Sequence, residues 1–222
     1  MGSGSLTPLT TADLRSAAAI CRRTLGPVAD RDWSLSAHGL DWDCRGTLDH
    51  VCDCLAFYAH DLGARVQTIE GAARDGFVGA DPVELIRTIE TLSEVLCLFA
   101  DGSPPEVRAL HPFGMADAEG FLAMGAVEIL LHTWDIAMAL GVPLAPPHEA
   151  EALAGAIVAR LFPWAPVGVP AMEALLACAG RGQVVGFAAV GPGWAWHAAP
   201  VAEWDGTVQH DPEPEADEPR AG

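Results

Sequence analysis

Apolar residues recur along most of this chain at spacings of three and four, the mark of helices that bury one face. The first such stripe is Leu14, Ala18, Cys21 and Leu25, with Thr10 or Thr11 as its cap and Gly26-Pro27 as its stop. A second, Leu48, Val51, Leu55, Tyr58 and Leu62, is expected to start at Thr47 as N-cap and to end at Gly63. A third, Leu85, Ile89, Leu92, Leu96 and Phe99, opens with Asp81-Pro82 and closes at Asp101-Gly102. The fourth helix is expected from its cap Asp117 to Leu140, stopped by Gly141 and Pro143. A fifth begins at Pro147, carries Glu149 and Glu151 early, and aligns Leu153, Ile157 and Leu161. Four long helices joined by ordinary loops predict a four-helix bundle.

Beyond Phe162 the pattern changes. Ala171 to Ala179 reads as a short helix and Gln183 to Val190 as a strand. Gly191-Pro192-Gly193 reads as a turn and Trp194-Ala195-Trp196 as a return strand. The expected fold is therefore mainly α. A helical bundle occupies 1–161, and a small C-terminal α+β extension, a short helix plus a β-hairpin, occupies 162–208. The Pro- and acid-rich residues 209–222 are expected to be a disordered acidic tail.

Composition narrows the function classes. The formal net charge is −18, and all twelve basic residues are Arg. Such acidity argues against nucleic acid or an anionic membrane as the main partner, since both call for a basic surface. The chain starts without a basic region followed by an apolar one, so no secretory signal is read there. The most apolar long run, Phe121 to Leu140, contains Glu128, His132 and Asp135, which would be costly in lipid, and a soluble helix is the cheaper reading. Six scattered cysteines suit reduced thiols and a cytoplasmic location better than a disulfide framework. No nucleophile elbow, phosphate-binding Gly-rich loop or dinucleotide fingerprint occurs.

The chemistry concentrates in the fourth helix. Glu128 and His132 stand four apart, one turn along one face. An unpaired carboxylate among Val127, Ile129, Leu130 and Leu131 would be expensive, and a metal or a paired histidine relieves that cost. His50, placed in the first turn of the second helix, can meet them across a bundle; the helix's positive end would keep its ring neutral. Two His and one carboxylate suit zinc, nickel or iron(II), with a position left for a small ligand. His132 also reads as an ordinary core histidine. Asp135 is either an acceptor that orients a ligating imidazole or a solvated surface acid, and Asp53 stands in the same relation to His50. Arg45 is a contact for a substrate carboxylate or a surface cation. Cys54 can share the His50 face, though a core thiol is the simpler reading. Trp194 and Trp196 read as packing.

The run Glu128-Ile-Leu-Leu-His132-Thr-Trp134-Asp135-Ile136-Ala-Met-Ala-Leu-Gly141 resembles the last bundle helix of the DinB-like metal proteins. The similarity extends to the branch containing mycothiol-dependent maleylpyruvate isomerase, and covers roughly Leu6 to Leu161. His50 in Thr47-Leu-Asp-His50 matches the second histidine of that branch. The resemblance implies one divalent metal, usually zinc, held by His50, Glu128 and His132, with the low-molecular-weight thiol mycothiol as cosubstrate. It implies an isomerase or S-transferase acting on a small electrophilic substrate; a monomer or homodimer is expected. Two departures stand out: a much shorter C-terminal part than the isomerase has, and an unusual Trp42-Asp43-Cys44-Arg45-Gly46 before His50. The alternatives are a thiol-independent metalloenzyme of specialised metabolism and a non-catalytic metal-binding bundle.

Overall fold

Residues 8–68, 76–77, 79–188, 190 and 193–208 are described by a computed structural model. Among them the helices are α1 (Thr11–Leu25), α2 (Cys44–Ala64), α3 (Pro82–Asp101), α4 (Ala118–Leu140), α5 (Pro147–Leu161) and α6 (Ala171–Cys178). Strands β1 (Ala109–His111) and β2 (Gly114–Ala116) lie between α3 and α4, and 3-10 turns occupy Gly26–Val28 and Val201–Glu203. Helices α1, α2, α3 and α4 pack against one another, and α5 lies against α4 and α1.

The core is organised around α4. By length and composition it could cross a membrane, yet 83% of its most apolar window is buried inside the fold. A helix apolar on every side needs neighbours on every side, and here they are other helices. Leu14 of α1, Leu55 of α2 and Leu96 of α3 converge on Gly125 of α4. A Cβ there would lie only 3.1–3.2 Å from their methyl carbons, so the absence of a side chain lets the helices close. The ends obey local rules. The Asp81 side chain accepts from Glu84 N at 2.9 Å while Glu84 accepts from Asp81 N at 2.9 Å. Gly141 adopts the left-handed conformation, φ 66°, that ends α4.

Two expectations are corrected. Helix α2 begins at Cys44, not behind Thr47: the Asp43 side chain accepts from Gly46 N at 2.6 Å and caps it. Thr47 lies inside the first turn, its hydroxyl donating to Asp43 O at 2.8 Å. The apolar stripe marks where a helix meets the core, and the backbone helix starts one turn earlier. His50 consequently sits in the second turn, beyond the reach of the N-terminal dipole that was expected to keep it neutral.

The second correction concerns the hairpin. Among the described residues of 183–196 there is at most an isolated bridge position at Trp194. Gly186 takes φ +82° and Val185 is fully exposed, so no pleated, half-buried surface forms. The antiparallel pair is instead β1–β2, with Ala109 facing Ala116 and His111 facing Gly114. Three residues per strand are too few for an alternation to show in sequence. The short helix α6 forms as expected, and the C-terminal segment shares the bundle's buried cluster through Leu175, Cys178, Trp196 and Ala198. Arg160 of α5 ties it down, donating to Ala198 O at 3.0 Å, Ala199 O at 2.9 Å and Asp117 at 2.8 Å. The expected acidic tail, 209–222, lies outside the described residues.

Candidate metal centre

Helix α2 supplies His50, and α4 supplies Glu128 and His132 one turn apart. One ligand atom from each lies within 4.8 Å of the others. Both imidazoles present Nε2 to the same carboxylate oxygen: His132 Nε2 is 3.2 Å and His50 Nε2 3.8 Å from Glu128 Oε2. Oxygen and nitrogen bound at about 2.0–2.2 Å to one tetrahedral zinc stand roughly 3.3 Å apart. The α4 pair already meets that spacing, whereas the α2 imidazole stands farther off and has to move in toward Glu128. The His50 and His132 rings meet edge to face, 5.3 Å between centroids. Side-chain exposure falls from 29% at His50 to 11% at Glu128 and 9% at His132.

Burial pushes the Glu128 carboxylate up, but His132, then His50 and the Tyr58 hydroxyl, outweigh it and hold the group down at about 2. Tyr58 donates to Glu128 Oε1 at 3.2 Å. Burial pulls His132 down, but its bonds to Asp135 and Glu128 win, and its pKa is raised. The same neighbours that raise His132 favour a positive charge beside this carboxylate, the charge that a metal would bring. The donor set therefore fits a divalent cation.

Asp135 is no surface acid. It is fully buried, with Oδ2 3.0 Å from His132 Nδ1. An ionised carboxylate can only accept, so Nδ1 carries the proton and Nε2 is left pointing at Glu128. Arg181 grips the same carboxylate with both arms of its fork, Nε to Oδ1 and Nη2 to Oδ2, each at 2.8 Å. Burial alone would raise the Asp135 pKa; His132 and Arg181 reverse that and lower it.

The α2 side is softer. The Trp42 ring lies 4.8 Å from the His50 ring, and Cys54 Sγ lies 3.4 Å from His50 Nε2. Trp42, Asp43, Asp49, His50 and Asp53 line an open cavity of about 480 Å³, so Asp53 shares that wall with His50. Arg45 is turned to the protein: it donates to Ala80 O at 3.0 Å and Phe77 O at 2.8 Å and lies 3.5 Å from Asp49. It pins the chain before α3 to α2. All six cysteines are buried and unbridged. Burial pushes Cys21 and Cys178 up to about 12 and Cys44 and Cys97 up to about 11, the state of inert core thiols.

Sequence reasoning missed Tyr58, Trp42 and Arg181 as parts of the site. For Tyr58 a signal existed, because His50, Cys54 and Tyr58 follow one another at intervals of four along a single helix face. For Arg181 there was none: it lies 46 residues from Asp135, in a segment without regular structure. Set against known proteins, the chain matches no family model, no curated protein and no solved structure.

Proposed function

We propose that this protein is a mononuclear metal-binding helical bundle in which His50, Glu128 and His132 hold one divalent ion, zinc being the best fit to this donor set. The observation that carries the reading is the meeting of the three ligand atoms, from two helices, within 4.8 Å of one another. Such an ion, once bound, supplies a Lewis-acid centre with a coordination position left to a small molecule. The chain's own residues divide the remaining work. Glu128 brings the negative charge, and Tyr58 steadies it by donating to its second oxygen. Asp135 holds the His132 proton on Nδ1. His50, the most exposed of the three, stands on the side from which a small molecule enters. The carboxylates of Asp43, Asp49 and Asp53 in the cavity at His50 oppose an anionic substrate and favour a neutral or cationic one. That lining favours a thiol-independent metal protein over the isomerase or S-transferase that the DinB-like resemblance implies.

Elemental analysis of the purified protein tests this. One divalent ion per chain is expected, with its loss in each of His50→Ala, Glu128→Ala and His132→Ala while circular dichroism keeps the helix content. Full retention in any one removes that residue from the ligand set, and retention in all three overturns the reading. Cobalt loading then separates the two chemistries. A sulfur-to-metal charge-transfer band on adding mycothiol to the Cys54→Ser protein, where the neighbouring sulfur is removed, would restore the thiol-using reading.

A further inference from the structure

We infer that Arg181 is a positioning residue for this centre, acting through Asp135 to fix the tautomer and orientation of His132. The inference builds on the proposed metal site, but its core is a chain of hydrogen bonds within the protein. Arg181 reaches Asp135 with Nε and Nη2 at 2.8 Å each, and Asp135 Oδ2 reaches His132 Nδ1 at 3.0 Å. The other ring nitrogen of His132 faces Glu128 at 3.2 Å. The Asp135 end is fully buried, and the Arg181 side chain, 9% exposed, comes in from the wall of an open cavity of about 400 Å³.

The route by which Arg181 arrives is itself specified. Glu151 of α5 caps α6, accepting from the main-chain N–H of Ala171 and, at 3.1 Å, of Met172. Gly180 then takes φ +68°, a conformation that side chains resist, and turns the chain out of α6 toward α4. Arg181 N closes that turn on Leu176 O at 2.8 Å. Its third arm, Nη1, donates to Ala179 O at 3.0 Å, and its guanidinium lies over the Trp194 ring, 5.5 Å from the centroid. Cap, glycine turn and aromatic floor leave the fork one direction, and that direction is Asp135.

A carboxylate this deep needs a cation to remain ionised. Only as an acceptor on both oxygens does it demand the proton of His132 Nδ1. If Arg181 is removed, Asp135 loses the fork that fixes both of its oxygens and is free to turn toward other donors. His132 is then free to place its proton on Nε2, where it would block a cation. The C-terminal segment thereby enters the metal centre without touching the metal, and the bundle ligands alone do not complete it.

Two readouts test this. Nitrogen NMR of isotope-labelled histidine in the metal-free protein, at a pH where the ring is neutral, should show His132 protonated on Nδ1. In Arg181→Ala the signal should shift toward the Nε2-protonated form or a mixture. Zinc affinity, measured by competition with a chromogenic chelator, should weaken about 10–100-fold. Arg181→Lys should recover only part of that, since ammonium keeps the charge and loses the fork. Should Arg181→Ala fail to fold, Arg181→Lys and Asp135→Asn carry the test: in the Asp135→Asn background, Arg181→Lys should change zinc affinity no further. An unaltered His132 tautomer, or additive losses in the double variant, overturns the inference. A wild-type protein that binds no zinc but shows the expected tautomer change would refute the metal reading and leave the positioning role standing.

Discussion

His50 and His132 face the same oxygen of Glu128, yet the walls that carry them are built on different terms. The α4 wall is charged, buried and fully bonded: His132, Asp135 and Arg181 form an unbroken series of hydrogen bonds. The α2 wall is a set of soft contacts, the Trp42 ring on one side of His50 and the Cys54 sulfur 3.4 Å away, beside an open cavity. A bonded, desolvated imidazole has one orientation, whereas one held by ring and sulfur contacts can move to close the longer distance on the α2 side. The centre thus combines one preorganised half with one adaptable half, and loading and ligand entry belong to the second.

The largest contrast should come from removing a carboxylate from each wall. Asp135→Ala leaves Arg181 buried without its partner and should destabilise the metal-free protein by about 3–5 kcal/mol in urea unfolding. Asp49→Ala, on the α2 wall, removes a partly exposed acid 3.5 Å from Arg45 and should cost about 1 kcal/mol or less. Equal losses would erase the distinction between the walls.

Acidity gives an intermediate effect with opposite signs at the two ends. Glu128 is lowered from 4.5 to about 2, so its stabilising charge is intact above 4.5 and is lost as pH falls toward about 2. His132 is raised above 6.5, so its stabilising protonation is complete below 6.5 and is lost as pH rises through the higher folded value. The metal-free fold should therefore be most stable between about 4.5 and 6.5, and Glu128→Gln should shrink the acid limb of the profile to the part that the lowered Asp135 contributes. Since the same proton must leave for a cation to bind, zinc affinity should climb with pH and uptake should release acid, measurable by titration in weak buffer.

The smallest effect lies at Trp42. Diethyl pyrocarbonate should acylate His50 before His132, as peptide mass mapping would show. Trp42→Ala should quicken reaction at His50 and leave His132 slow, with a stability change of only about 0.5–1.5 kcal/mol. Faster reaction at His132 would show that the buried wall is the mobile one.

Much of the helical framework was legible because its causes are local. Asp81, Asp117 and Gly141 cap and stop helices within a few residues of themselves, and the stripes on α1, α3 and α5 are periodic in the chain itself. Where the cause was not apolar, the reading slipped: α2 begins a turn before its stripe because Asp43 caps it, and β1–β2 are too short to announce themselves. The pairing of Glu128 with His132 was visible because four residues make one helical turn. Whether Asp135 was solvated or ligand-orienting could not be read locally, since that depended on what covered it.

By itself, then, the sequence determined which segments are helices, that the apolar run carrying Glu128 and His132 belonged in a soluble helix, and that a carboxylate and an imidazole share one of its faces. All of these follow from dihedral preference, capping and the cost of exposing apolar surface or burying a lone charge. Only the tertiary structure decided that Tyr58, 70 residues away, would hold Glu128, that Arg45 would turn inward, and that Arg181 would reach Asp135. Those pairings depend on the angles at which helices cross and on the glycine turn after α6. No local pattern encodes a hydrogen bond between residues that meet only when the whole core has closed.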